Sequence, residues 1–491
     1  MSREDQAKYI GEQPVGKLLF RFSVPAITGM FVNTSYGVVD RIFVNNVFGE
    51  DALAAVALSY PIMLIMLSAA MMIGIGTNTL LSIRLGQNRI DEAERLMGVA
   101  LCLFLIVTVL FMIFGLIFIE PLLRFFGATN VTLPLAKRFL RIIIFGTFFM
   151  QVSFGLNGFL RSEGKAHIAM ITLIISAIVN VVLSWFFLFV LKTGIEGTAY
   201  ANVIAQAVSS VWIAWYYLSG RSLLRWRLKY IRFDTARAKQ ICFMGMAPCL
   251  MNVANCVLIA LVNYQFLSYA DDHWTGEHGI ATMSICQSIF MLVFSIVLGV
   301  SQGGQPVIGY NIGAKKYARV GKTFAMMLGF VFLLNLIYTS LVLIFPEATL
   351  YLFLRNTPEL APLAERAIRI FMLMFPGVGI TVITANYFQA TGRGTVALMM
   401  TMIRQVVVLI PLYCVLPIFW GFDGIWVATP ISDAVATAIA CGFILYEFRR
   451  LTRLTTFQKN TEREEMKNEK LLDTQRFSPE NNPQEQQPGT Q

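Results

Sequence analysis

Asp40 stands in "NTSYGVVDRIFV" (residues 33–44), a largely apolar stretch, with Tyr36 four residues before it. That spacing puts two side chains on one face of a helix. Asn180 with Ser184 and Asn202 with Gln206 repeat it. A carboxyl among amide and hydroxyl groups can bind a cation or carry a proton. Arg404 and Asp433 form a second candidate set, opposite charges in two apolar segments late in the chain, and Asn263, Gln302, Gln305 and Asn311 are polar residues of the same half. Charges in apolar surroundings become tolerable as an ion pair. The pair could be a structural pin between helices, or a second proton or ligand-charge site.

The elements carrying these residues follow from composition. Of 491 residues 56% are hydrophobic and only 14% charged, with a mean hydropathy of +0.64. A soluble domain carries about 25% charged residues. Residues 96–119, 168–191, 197–220 and 323–346 each run 24 residues without Lys, Arg, Asp or Glu, and 52–83, 240–270 and 279–314 run longer. About 20 residues span the hydrocarbon. Helices near 18–47, 134–159, 370–392, 396–419 and 424–447 bring the expectation to twelve. Met1 to Lys17 is too polar, and the first helix too long, for a cleaved signal peptide. The 221–239 connection holds Arg221, Arg225, Arg227, Lys229, Arg232, Arg237 and Lys239 against Asp234, whereas 271–278 holds Asp271, Asp272 and Glu277 and no Lys or Arg. Positive loops stay cytoplasmic, so both termini are expected inside a plasma (inner) membrane. The net charge of +10 is thereby a topology signal, and a nucleic-acid partner is not expected. The seven cysteines are scattered and the three histidines lack ligand spacing, so neither a disulfide framework nor a metal site is expected.

The halves resemble each other at a nearly constant offset. "SIRLGQNR" (82–89) faces "GYNIGAKK" (309–316), "EGKAHIAM" (163–170) faces "TGRGTVAL" (391–398), and "GIEGTAYANVIAQ" (194–206) faces "GFDGIWVATPISD" (421–433), each 227 or 228 residues on. Three matches in register mark an internal repeat. Six helices per copy give parallel copies. The expected fold is an all-α polytopic membrane protein of twelve transmembrane helices, in two six-helix bundles related by a pseudo-twofold axis along the membrane normal. The chain divides into a cytoplasmic segment (1–17), an N-terminal bundle (18–220), a basic cytoplasmic linker (221–240), a C-terminal bundle (241–448) and a disordered cytoplasmic tail (449–491).

"FSVPAI", "VDRIFV", "LAAVALSYPI", "FLRSEGK", "QGGQPVIGYNIGAKKYARV" and "GIWVATPISD" resemble the MATE family of multidrug and toxic compound extruders, in its MepA-like branch. The resemblance covers residues 14–447. It implies cation-coupled antiport of amphipathic, mostly cationic organic compounds outward, by a monomer without a cofactor. It also implies a coupling site built on Asp40 and Tyr36 of the first helix, with residues of the fifth and sixth helices, and a conserved-type proline, here Pro25, as the first helix's hinge. Many relatives have a second acid on the fifth helix and a threonine on the sixth, where this chain has Ser184 and Asn202. The repeat would put an acid at Asn263, so that carboxylate is lost in the second half. One carboxyl suits H⁺; amide and hydroxyl oxygens beside it could also hold Na⁺. Gln302, Gln305 and Asn311 are expected to flank a flexible Gly-rich stretch of the eighth helix. The enzyme class is set aside for want of a nucleophile or metal set. A flippase for a lipid-linked substrate, on a related fold, is the alternative; it would usually line its cavity with several arginines, and Arg404 alone is clearly intramembrane.

Overall fold

The computed structural model describes residues 10–270, 274–354 and 358–476, and the backbone alone at 38, 40–42, 44–46, 48–54, 228, 352–354, 358, 462 and 465–476. Asp271 and Asp272 of the acidic loop lie outside the described residues. Continuous apolar runs satisfy their backbone hydrogen bonds within the segment only as helices. Helices are what is found: α1 (Val15–Gly86), α2 (Ile90–Ile117), α3 (Ile119–Phe125), α4 (Thr132–Ser162), α5 (Ala166–Trp185), α6 (Glu196–Leu218), α7 (Thr235–Ser268), α8 (Gly276–Gly313), α9 (Tyr317–Ile344), α10 (Pro346–Leu354), α11 (Ala361–Met372), α12 (Phe375–Ala390), α13 (Gly394–Met402) and α14 (Ile410–Arg476).

Among the described residues nine helices are long and apolar enough to cross a membrane, or ten with one bent pair; α6 and the break in α14 bring the crossings to twelve. α1 holds two, Val15–Gly37 and Ala55–Gly86. Ser23 lies against Gly303 and Asn78 bonds Gln305, so the chain reverses between them; a straight helix of 72 residues would be about 108 Å long. α14 breaks at Gly421 (φ 56°, ψ −135°), a left-handed conformation that glycine adopts without a Cβ penalty. Gly394–Thr461, 68 residues long, is more than three times the length one crossing needs, and the break at Gly421 divides it into two. α11 and α12 together make the tenth, bent by 43°. The sequence reading has one helix there from 370; the structure starts it at Ala361 and breaks it before Phe375, because Pro376 in the first turn of α12 cannot continue a helix hydrogen-bond ladder.

The core divides as the repeat requires. One buried cluster draws on residues 247–451, joined by Val15 and Leu19. Two others draw on residues 10–241, joined by Val307 and Tyr310. Left-handed residues recur at the repeat offset: Asn88 with Lys315, Gly164 with Gly392, and Gly194 with Gly421. Two sequence expectations are corrected. The eighth helix is continuous through the stretch expected to be flexible, with Gly299, Gly303, Gly304, Gly309 and Gly313 all buried against neighbours. The tail is helical to Arg476 rather than disordered from 449; "TEREEMKNEKLL" is rich in Glu, Lys, Met and Leu, whose helix propensity needs no core.

The bundles meet where the glycines are. A Cβ on Gly86 would overlap the carbonyl oxygen of Tyr310, and one on Gly313 that of Ile83. These residues, 227 apart, sit at the end of the molecule that carries the basic loops. Near Pro25, an added Cβ on Gly303 would lie 2.7 Å from the Ser23 Cα, and one on Gly299 2.5 Å from the Ile27 Cα. Overpacking such contacts costs about 1–3 kcal/mol. Gly86→Ala is therefore expected to part the bundles at this end without unfolding either. In a background lacking the seven native cysteines, Thr79→Cys should react faster with a water-soluble maleimide when Gly86→Ala is present. Equal rates would show that no bundle contact depends on this glycine.

Candidate functional site

In the N-terminal bundle, ring contacts set the depth of the polar pairs. Phe43 of α1 meets Phe189 at 5.8 Å, in the π-helical turn Phe186–Val190 that ends the fifth crossing. Phe187 meets Tyr200 of α6 at 6.3 Å. α1 and α5 run in the same direction and α6 against them. Counting back along each helix, residues 36 and 40 come level with about 182 and 186 of the fifth crossing, roughly two residues from Asn180 and Ser184, and Gln206 and Asn202 with about 181 and 185. The six positions thus share a band of depth about 9 Å thick. Asn180 and Ser184 are buried, and Gln206 donates from Nε2 to Asn202 Oδ1 at 2.7 Å. Asn180 Oδ1 is buried without a donor among the described residues. Of Asp40 the helical backbone is described; its side chain lies outside the described residues.

In the C-terminal bundle, Arg404 Nε donates to Asp433 Oδ1 at 2.7 Å, with side-chain exposures of 17% and 5%. Ser432 donates to the Arg404 carbonyl at 2.9 Å. Arg404 and Gln405 follow Ile403 in a π-helical turn, Ile403–Leu409, and such widened turns are frequent at functional sites. Gln405 donates to Asn255 Oδ1 at 2.9 Å, and its own Oε1 is buried without a donor among the described residues. Arg404 and Gln405 line a cavity of about 70 Å³ with Pro248, Met251, Asn386 and Gln389.

The other residues grouped with this pair by sequence lie elsewhere. Gln302 donates toward Met30 Sδ. Gln305 donates to Thr79 at 3.0 Å and accepts from Asn78 at 3.0 Å, so both glutamines face the N-terminal bundle. Asn263 is half-buried on α7, and no hydrogen bond joins it to the pair among the described residues. Asn311 is buried within α8's own turn, donating to Val307 and accepting from Arg319. Pro25 is helical on both sides and sits between the two contacts with Gly299 and Gly303.

Asn78 and Gln305 were missed as a pair. They are 227 residues apart, the repeat offset itself, so a polar residue at matching positions of both copies was the available signal. A bond between repeat mates places them on the pseudo-twofold axis. Ser162 donates to Asn78 Oδ1 and Ser82 lies 3.0 Å from Ser162.

Three buried acids were also missed. Glu94 accepts from Arg227 Nε at 2.9 Å and from the Arg225 amide at 3.1 Å. Glu163 accepts from Ser222 Oγ at 2.6 Å and from the Leu223 amide at 3.1 Å. Together they dock the basic linker onto the N-terminal bundle, with Leu223 and Leu224 buried. Glu447 accepts bidentately from Arg393, at 2.7 Å twice, and from Tyr387 at 2.9 Å.

Two measurements test these geometries. Removing Arg404 or Asp433 alone leaves a buried charge unpaired, at a cost of about 3–5 kcal/mol; removing both costs less. Thermal unfolding of Arg404→Met, Asp433→Leu and the double variant should show it, and an additive double variant would mean there is no pair. Burial pushes the Glu163 carboxyl up to about 7, against the lowering bonds from Ser222 and Leu223. A raised carboxyl favours the docked linker fully below about 4.5, its ordinary value, and that contribution is lost as pH rises through about 7. Hydrogen exchange at the Leu223 amide, corrected for intrinsic rate, should be faster at pH 8 than at pH 5. Glu163→Gln should flatten the difference; an unchanged profile would exclude Glu163 as its origin.

The family model MatE matches residues 25–186 and 249–415, one stretch in each bundle. The chain belongs to the MatE family, whose members are membrane transporters and not enzymes. Within it the chain is MepA-like. It is 25% identical over 451 residues to the multidrug export protein MepA of Staphylococcus haemolyticus, covering 92% of this chain and 98% of that protein. It is also 24% identical over 453 residues to an FAD transporter of Shewanella oneidensis, covering 90% and 97%. Among solved structures, the outward-facing conformation of a multidrug resistance MATE family transporter of the MOP superfamily matches with a TM-score of 0.83 at 25% identity, over 91% of this chain and 98% of that one.

Proposed function

We propose that this protein is a cation-coupled antiporter that exports amphipathic, mostly cationic organic compounds across the plasma membrane by alternating access, as a monomer with both termini cytoplasmic. The observation that carries the reading is the group of polar side chains at about the depth of Asp40, with a buried acceptor, Asn180 Oδ1, without a donor among the described residues. The MepA relative supports the substrate class. Asp40 is the coupling carboxyl. With Ser184 and Asn202 in place of further acid and hydroxyl ligands, the site carries one negative charge at most, which suits H⁺ as the driving ion; Na⁺ is the alternative. Binding a proton to Asp40 ends its need for polar partners, and the segment beyond Pro25 repacks. Closure of the bundles at Gly86 and Gly313 corresponds to the state open on the opposite face.

A second reading, an anionic substrate of the flavin-dinucleotide kind, is supported by the Shewanella relative and by Arg404 at the C-terminal cavity.

Proteoliposomes carrying either a pH or a Na⁺ gradient test both. Efflux of a cationic dye should follow the pH gradient, and Asp40→Asn should reduce it to the level of protein-free vesicles. Spin labels reporting residue 33 against α5 should move between high and low pH in the parent protein and stay in the low-pH position in Asp40→Asn. Parent-like efflux in that variant would rule out the coupling role, and FAD transport in preference to dye would favour the second reading.

A further inference from the structure

A cavity of about 550 Å³ lies away from both sites. It is an open cleft lined by the end of α2, by α3 and by the start of α4, on the face opposite the basic linker, since the connection after the third crossing and that after the sixth leave on opposite sides. Its charged lining is Glu120, Arg124, Lys137 and Arg141. Glu120 bonds Arg124 and Lys137, each at 3.1 Å. Those two bonds, Lys137's first, hold its carboxyl below the usual range, so it stays ionised and offsets one cation of three. The cavity therefore keeps two positive charges, on a face where the positive-inside pattern would put none.

Arg141 sharpens the point. It is exposed, and no acid pairs with it among the described residues; its neighbour Arg138 meets Glu196 at 3.7 Å instead. α4 spans Thr132–Ser162, so Arg141 lies six residues from its middle, about 9 Å, inside a half-thickness of about 15 Å. An unpaired cation at that depth is costly. Helical side chains lean toward the N-terminus, which for α4 is the cavity end, so the guanidinium can snorkel there. Below and beside it the surface is apolar and open: Phe145, one turn deeper on α4, is 56% exposed, and Phe114 and Ile117 of α2 are 56% and 65% exposed.

We propose that this cavity binds the headgroup phosphate of an anionic phospholipid from the adjoining leaflet, with Arg141 and Lys137 on the phosphate and the acyl chains along Phe114, Ile117 and Phe145. A free phosphate would use the cations alone and leave the apolar wall without an occupant. A zwitterionic headgroup would bring its own cation to a site that already has two in excess.

The full-length protein in neutral detergent, titrated with phosphatidylglycerol, phosphatidylcholine or glycerol 1-phosphate and read by native mass spectrometry, tests this. Phosphatidylglycerol should be retained at the lowest concentration. Arg141→Gln and Lys137→Gln should each weaken it about fivefold, the effect of one interfacial cation, while Arg138→Gln should change nothing. Thermal unfolding of each variant reports folding separately, and Lys137→Gln carries the test if Arg141→Gln does not fold. Retention unchanged in both folded variants would overturn the proposal, as would phosphatidylcholine held as tightly as phosphatidylglycerol. Glycerol 1-phosphate binding as tightly as the lipid would replace the lipid with a soluble phosphate and overturn it equally.

Discussion

The middle of a bilayer holds no water, so a polar group there must find its partner in the same chain. In this protein the strong partnerships fall within bundles and the weak ones between them. Arg404 with Asp433, and Arg393 with Glu447, are close charge pairs inside the C-terminal bundle. Across the interface the corresponding contacts are amide and hydroxyl hydrogen bonds, Asn78 with Gln305 and Gln305 with Thr79. Polar bonds between membrane helices average about 0.6 kcal/mol. Breaking a buried ion pair costs several times more. Each bundle is thus bound to move as a unit, and the seam between them is the part that can open at modest cost.

The glycines of the seam complete this arrangement. They let backbones touch without interlocking side chains, so the two bodies can part without repacking a core. The backbone repeats faithfully, with left-handed residues in register, while the chemistry does not. Asp40 has no acidic mate in the second copy, whether the offset is the 223 that pairs Pro25 with Pro248 (Asn263) or 227 (Leu267), and the ion pair of the second half has no counterpart at the same place in the first. A symmetric frame with an asymmetric charge distribution lets a change of charge in one half act on the seam shared by both.

Much of this was legible in the sequence, and the limits have physical causes. Uncharged runs revealed the crossings because hydrocarbon thickness is a length, and length is readable. The repeat offset revealed the two bundles. Arg404 and Asp433 could be paired because two lone opposite charges at similar depth have few other options. Gln302 and Gln305 were grouped with them because counting along a helix gives depth but not the direction a residue faces, and they face the other bundle. Glu94 and Glu163 were passed over because acids in connections read as solvated, and only the docking of Leu223 and Leu224 buries them. The bend before Phe375 followed from Pro376, a local signal that the apolar pattern around it concealed.

One small feature governs what variation this protein can absorb. Arg319 donates to the carbonyl oxygens of Ile10 and Gln13, and Lys316 to that of Gly11, while Ile10 is buried in the opposite bundle's core. The N-terminal segment is therefore a tether between the two bodies, held at one end by a side chain and at the other by main chain alone. A tether gripped by its main chain is indifferent to which residue occupies position 13, though not position 11, where a Cβ would come within 2.9 Å of the Tyr310 ring and 3.0 Å of Lys316 Nζ, nor to how many residues separate Ile10 from Val15. Substitutions at 13 can accumulate almost silently, whereas a single insertion or deletion would change the slack, and with it how far the two bodies can swing apart.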